Sequence, residues 1–66
     1  MRRRSLFVVE DVKEGEPFTE KNVRSIRPGN GLMPKFLSEV LGRRAARAVK
    51  RGTPMAWDLL GARELR

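Results

Sequence analysis

Short apolar blocks separated by turn residues run through the first third of this 66-residue chain. The block Leu6 to Val9 is rich in β-branched and aromatic residues and precedes a polar turn, so it predicts a strand over 6–10. In the turn over 13–17, Gly15 suits a positive φ, and the proline that follows fixes the direction in which the chain leaves. The Thr19 side chain is well placed to cap one further turn, after which 23–26 predicts a second short strand.

A loop rich in Gly, Pro and Asn, over 27–33, separates the second strand from a helical pattern. Proline is favoured in the first turn of a helix, where its missing N–H leaves no bond unmade, so Pro34 marks a helix start. Apolar side chains at positions 36, 37, 40 and 41 would share one face, and Gly42 suits the helix end. The pattern predicts one short helix over 34–41.

The segment 44–49 is ambiguous, because its Ala and Arg residues favour a helix by local propensity. An internal repeat favours a strand instead. When the chain is shifted by 37 residues, 11–18 falls on 48–55 with the same Val, Lys, Gly and Pro at four positions. Because the first copy opens with the strand at 6–10, the second should open with a strand near 44–49. Two such copies predict a mainly β domain with pseudo-twofold symmetry.

Size and composition limit what this domain can do by itself. Its length allows one small core and a shallow site, not an enclosed pocket. The absence of His and Cys removes the commonest general base, the commonest metal ligand and any disulfide. The carboxylates of 10–16 read as a solvated acidic turn, so we expect neither a catalytic group nor a metal site. The longest apolar run, Leu6 to Val9, is too short for a membrane span or a signal peptide, and a soluble chain is expected.

Charge favours acidic partners without naming one. The chain carries 15 Lys and Arg against 8 Asp and Glu, a net charge of +7. The densest basic run holds Arg43, Arg44, Arg47, Lys50 and Arg51. Nucleic-acid binding would need stacking aromatics or a recognition helix beside this run, yet the aromatic residues fall within apolar patterns. A solvated basic face is therefore favoured, and an independent module that binds nucleic acid or an acidic polymer is kept as the alternative.

The loop after the second strand presents one Arg in stiff surroundings. Pro28 pushes Arg27 into extended backbone, while Gly29 and Gly31 allow turns where a side chain would clash. The planar guanidinium fork suits carboxylates, phosphates and amide oxygens. Arg27 is therefore the candidate binding residue of the chain.

Several segments together resemble one protein family over residues 3–60. They are the run Arg4 to Val9, the segment 12–16, the loop Arg24 to Leu32 with Pro34-Lys35, and the later Leu41-Gly42 and Gly52-Thr53-Pro54. These segments are similar to the C-terminal antifreeze-like (SAF) domain of bacterial N-acetylneuraminate (sialic acid) synthases and of their legionaminate and pseudaminate relatives. The specific part is Arg-Pro-Gly-Asn-Gly-Leu-x-Pro-Lys, because Lys-x-Gly-x-Pro also occurs in other SAF domains.

The resemblance implies a β-clip fold like that of type III antifreeze protein, made of short strands and 3-10 turns. It implies one SAF domain over 1–66, with 1–4 as the end of an interdomain linker and 61–66 as a C-terminal tail. In the family, an N-terminal β/α barrel binds phosphoenolpyruvate and a divalent metal, Mn²⁺ or Mg²⁺. The barrel condenses phosphoenolpyruvate with an N-acylated amino sugar such as N-acetylmannosamine. Because this chain lacks the barrel, we expect no catalysis and no cofactor in the isolated domain.

The resemblance also implies a partner and a site. Family members are cytoplasmic, domain-swapped homodimers in which the SAF domain of one subunit covers the barrel mouth of the other. An Arg from the Arg-Pro-Gly loop then lies beside the N-acyl group of the sugar. The matching residue here is Arg27, with Pro28, Gly29, Asn30 and Gly31 as the supporting loop. The expected function is that of a substrate-capping accessory domain of a synthase.

Overall fold

Two small antiparallel sheets form the domain. The computed structural model of the protein describes residues 3–63. Strand β1 (Ser5–Val8) pairs with β2 (Val23–Ile26) in regular register. Strand β3 (Arg43–Ala45) pairs with β4 (Leu60–Arg63), and the register shifts between Arg43 and Ala45. The mainly β architecture predicted from the sequence is confirmed.

The helix expected over 34–41 is confirmed, and it has two parts. A 3-10 turn, Pro34–Phe36, leads into the single α-helical turn α1 (Leu37–Val40). The tighter first turn arises because the Leu37 N–H donates to the carbonyl of Pro34, three residues back. A second 3-10 turn, Trp57–Leu59, leads into β4.

The strands differ from the expected ranges at their ends. The first is Ser5–Val8 instead of 6–10, and the third is Arg43–Ala45 instead of 44–49. Both stop early because the chain then bends toward the other half of the molecule. Beyond β3 the backbone turns away until Val49 forms an isolated antiparallel bridge with Val12. The strand preference over helix at 44–49 is therefore correct for its first residues only.

The predicted repeat is a pseudo-twofold arrangement centred on Val12 and Val49. Each of these residues donates its N–H to the carbonyl of the other at 2.8 Å. Away from the centre, six further bonds between the halves form three pairs, and within each pair every donor and acceptor is displaced by 37 residues. These pairs are Val8 to Thr53 with Ala45 to Glu16, Gly15 to Ala45 with Gly52 to Val8, and Phe18 to Arg43 with Met55 to Leu6. In these pairs, a hydrogen bond donated by one half is matched by an equivalent bond that the other half donates back.

One core is shared by the two halves. Eight of its buried side chains form repeat-related pairs: Val8 with Ala45, Val12 with Val49, Phe18 with Met55, and Val23 with Leu60. The buried Leu6, Val40 and Leu59 have no apolar counterpart. Gly15 and Gly52 also correspond, with φ of 88° and 92°, the left-handed backbone that favours glycine at both turns. The repeat thus predicts the core as well as the topology.

The ends of the chain lie partly outside this description. Residues 61–63, expected as part of a tail over 61–66, belong to β4, and 64–66 lie outside the described residues. Of the linker expected over 1–4, residues 1–2 also lie outside them. Within 3–63, no helix is long and apolar enough to cross a membrane.

Candidate functional site

The Arg27 loop, residues 27–31, is fastened to β1 by a buried hydroxyl. Ser5 Oγ donates to the Pro28 carbonyl at 2.7 Å and accepts from the Gly31 N–H at 3.0 Å. Ser5 is 1% exposed and is the one buried polar side chain among residues 3–63. The loop includes a cis peptide bond between Arg27 and Pro28. The two hydrogen bonds of Ser5 hold the Pro28 carbonyl and the Gly31 N–H in fixed positions relative to the sheet.

Gly31 makes this attachment possible, because the chain crosses the rest of the fold at that point. A Cβ on Gly31 would lie 2.9 Å from the Met55 nitrogen and closer still to the Leu6 carbonyl oxygen. The next residue, Leu32, accepts from the Leu6 N–H at 2.8 Å and donates to the Met55 carbonyl at 2.9 Å. The loop is therefore anchored between both halves, and the clash expected for a side chain at Gly31 comes from the backbone that it crosses.

Arg27 itself is exposed, and its guanidinium makes no hydrogen bond or ion pair with residues 3–63. Other arginines are engaged: Arg4 donates to the Ser25 carbonyl at 3.1 Å, and Arg44 to the Gly15 carbonyl at 2.8 Å. Arg27 is thus an exposed charged donor fork on an anchored loop, with no partner among residues 3–63.

The basic run at 43–51 does not form one face. It is not helical, so its cations are distributed over β3, a bend and a turn. Arg47 pairs with Asp58 at 3.0 Å on the surface, and the buried Nε of Arg43 has no hydrogen-bond partner within the described chain. This arrangement lacks the recognition helix that the nucleic-acid alternative would need.

The acidic residues of the first turn stabilise backbone. The Glu16 carboxylate accepts from the Lys13 N–H at 2.7 Å, and Asp11 accepts from the Arg51 N–H at 2.9 Å. Across 3–63, no three Asp or Glu side chains are grouped so that they could hold a metal ion.

A feature that the sequence interpretation missed lies next to the Arg27 loop. Trp57 is 50% exposed and Met33 is 40% exposed. The half-buried Phe36 ring lies edge-on to Trp57, with ring centroids 5.1 Å apart and an interplanar angle of 71°. We call Met33, Phe36 and Trp57 the aromatic patch. The backbone bond between Leu32 and Met55 brings the segment that carries Phe36 close to the segment that carries Trp57. In the sequence, the one signal for this patch is that Trp57 corresponds in the repeat to a charged residue, Glu20.

Residues 3–61 match the family described as SAF domain. The chain belongs to the SAF domain family. This SAF domain is 47% identical over 55 residues to the pseudaminic acid synthase of Helicobacter pylori. The match covers 83% of this chain and 16% of that protein. It is 51% identical over 49 residues to the pseudaminic acid synthase of Campylobacter jejuni, covering 74% of the chain and 14% of that protein.

A solved structure shares the fold of this SAF domain. The spore coat polysaccharide biosynthesis protein SpsE of Bacillus subtilis superposes with a TM-score of 0.79 at 34% identity. The match covers 86% of this chain and 17% of that protein. The domain thus spans about a sixth of the length of the synthases and of SpsE that it resembles.

Proposed function

We propose that this SAF domain caps the substrate site of a synthase that condenses phosphoenolpyruvate with an N-acylated amino sugar. In the proposed enzyme, a cytoplasmic and domain-swapped homodimer, Arg27 reaches into the barrel of the partner subunit and donates to the N-acyl oxygen of the sugar. The names of the pseudaminic acid synthases that this chain resembles support the reaction class. The observation that carries the proposal is the exposed Arg27 guanidinium, which has no partner among residues 3–63, on a loop fastened by Ser5.

The chemistry asked of Arg27 is recognition rather than bond formation. An amide oxygen accepts well from a guanidinium, and the bond strengthens when a docked barrel excludes water from both groups. An anchored loop loses little freedom on binding, so more of the hydrogen-bond energy contributes to affinity. A small domain with a shallow surface can therefore contribute to a deep site by closing it.

The metal of the proposed enzyme would be held outside this chain. No described carboxylates are grouped for Mn²⁺ or Mg²⁺, so the domain contributes no ligand to it in this proposal. The domain also has no His or Cys to act as a base or nucleophile. Its expected contribution is to orient the sugar and to exclude water.

The test places this chain in a whole enzyme. The 66-residue sequence replaces the matching segment of the Campylobacter jejuni pseudaminic acid synthase, and steady-state kinetics are measured with each substrate varied in turn. In this chimera we expect Arg27→Ala to lower kcat/KM for the amino sugar about 10- to 150-fold, the range for one lost charged hydrogen bond. The KM for phosphoenolpyruvate should change less than about twofold. Arg27→Lys should recover little, because an ammonium group cannot reproduce the planar fork.

Arg51→Ala is the matched control. Arg51 is exposed, and the hydrogen bond it makes to Asp11 uses its backbone N–H, which the substitution keeps. Arg47 is less suitable, since its replacement would also break the ion pair with Asp58. If Arg51→Ala lowers kcat/KM for the sugar as much as Arg27→Ala does, or if neither changes it, Arg27 is not part of the sugar site.

A further inference from the structure

The pseudo-twofold arrangement offers an internal comparison between residues that the fold needs and residues that it does not. Phe18 and Met55 occupy equivalent positions and are both 1% exposed. The central pair, Val12 and Val49, is buried as well. At these two pairs of positions both copies of the repeat supply a buried apolar side chain, whereas the buried Leu6 and Leu59 correspond to Arg43 and Asn22.

The turns after these buried residues break this agreement. Both turns have equivalent backbone bonds, Asn22 to Thr19 at 3.2 Å and Leu59 to Ala56 at 3.1 Å. At their second position one copy has Glu20, exposed and hydrated, whereas the other has Trp57, also largely exposed. Trp57 differs from the core residues in its exposure, because half of its surface stays accessible beside the Phe36 ring. A half-exposed indole is costly to keep in water, which points to a role in contact with another molecule.

Two more apolar side chains extend the same surface. Met33 begins the 3-10 turn whose Phe36 ring packs edge-on against Trp57, and Lys35 lies with its ammonium 5.3 Å from the Phe36 ring centroid. Trp, Phe and Met are enriched in protein–protein contacts, and Trp often contributes most to the binding energy. Met33 follows the Arg27 loop after one residue, the anchored Leu32. Arg27, Met33 and Phe36 are thus carried by one continuous segment, and Trp57 contacts this segment through Phe36.

We infer that the aromatic patch is the surface by which this domain docks onto the barrel domain of a synthase, with Trp57 as its main anchor. This inference rests on the proposed function. The occupant follows from the relatives: the chain matches 14% to 16% of the two pseudaminic acid synthases, so most of each lies outside the matched segment. A patch beside the residue that must enter the barrel is well placed to contact the barrel rim. With a net charge of +7 on this chain, we expect acidic residues on that rim.

Hydroxyl-radical footprinting measures directly whether the barrel domain buries the aromatic patch, because Met and Trp side chains are oxidised readily when exposed. The oxidation rates of Met33 and Trp57 are compared between the isolated 66-residue chain and the chimeric synthase described above. We expect both rates to fall at least about fivefold in the chimera, as buried contact excludes the radical. The peptide that contains Glu20 should react alike in both samples.

Substitution separates docking from folding. Trp57→Glu installs the residue that the equivalent turn already carries, so the circular dichroism and melting temperature of the isolated chain should be retained. In the chimera, the same change should remove the protection of Met33 and lower kcat/KM for the sugar at least about tenfold, as expected for an anchor residue. Glu20→Gln, the matched control, should change neither by more than about twofold.

The outcomes distinguish this inference from the proposed function. If Arg27→Ala impairs sugar use while Trp57→Glu leaves protection and kinetics unchanged, the capping function stands and the patch is not the docking surface. If the chimera leaves Met33 and Trp57 as reactive as in the isolated chain, docking through this patch is excluded. Protection that rises with concentration in the isolated chain would identify a second copy as the occupant and would likewise overturn the inference.

Discussion

Ser5 shows how one hydroxyl can determine the geometry of a site that it does not enter. Its Oγ bonds two backbone groups of the Arg27 loop while it lies inside the sheet. The sequence made Arg27 a candidate, because prolines and glycines around an Arg have a clear conformational meaning. It gave no such signal for Ser5, since a serine at the start of an apolar block resembles the solvated end of a strand. A buried polar role depends on what lies opposite, and that partner is 23 positions away.

Replacement of Ser5 by Ala should weaken the domain and loosen the loop. The change leaves the Pro28 carbonyl and the Gly31 N–H without their buried partner, at a cost of about 1–3 kcal/mol. In a domain of this size we expect a fall in melting temperature of about 5–20 °C. Thermal unfolding followed by circular dichroism measures it. Ser25→Ala on the neighbouring strand is the control. A comparable fall in melting temperature there would show that the two buried hydrogen bonds of Ser5 are not the cause of the loss.

The elements are short because each is held from outside. The four strands and α1 contain three or four residues each, too few to be stable alone. Local propensity therefore located the elements and both ends of β2, but not the ends of β1 and β3. Those ends depend on hydrogen bonds between distant segments, such as that from the Gly52 N–H to the Val8 carbonyl. The stretch 46–49 shows the limit most clearly. There the chain leaves β3 to reach the bridge at Val12, and no local pattern encodes that departure.

Gly31→Ala tests the crossing of the loop over β1. The new methyl group would collide with backbone atoms of Leu6 and Met55, which cannot move without breaking hydrogen bonds between the halves. We expect a loss of at least about 3 kcal/mol in the free energy of unfolding, enough to unfold a small domain substantially. Gly52→Ala meets no atom within 4 Å and only adopts an unfavourable φ. In urea denaturation, Gly52→Ala should therefore lower the free energy of unfolding by about 1–2 kcal/mol. Equal losses in the two variants would show that the collision of Gly31→Ala with the backbone of Leu6 and Met55 is not the cause.

At the scale of the whole molecule, the two halves form one cooperative unit. Because the two halves share one core and bond to each other reciprocally, neither half can bury its apolar side chains without the other. This level was the most predictable from the sequence, because four identities at a fixed shift of 37 residues reveal the symmetry. The aromatic patch was not predictable in the same way, since Trp57 lies 21 positions from Phe36 along the chain.

Val12→Ala and Val49→Ala should have nearly equal effects. Both side chains are buried at the centre of the arrangement, at 2% and 4% exposure, and each substitution removes the same atoms. We expect each to cost about 2 kcal/mol, observed as one cooperative transition at lower denaturant concentration. A second transition, or a loss in one variant more than about twice that in the other, would contradict a single symmetric core.

The reciprocal bonds have a consequence for stoichiometry. Two separate chains of half the length, related by an exact dyad, would reproduce the same isologous pairing, but both turns would then carry the same residue. Such a dimer would present either two indoles or two carboxylates. Covalent fusion removes that constraint, so that one turn carries Trp57 and the equivalent turn carries Glu20. A partner that required the indole would therefore find one such position on the fused chain, where a symmetric dimer would offer two.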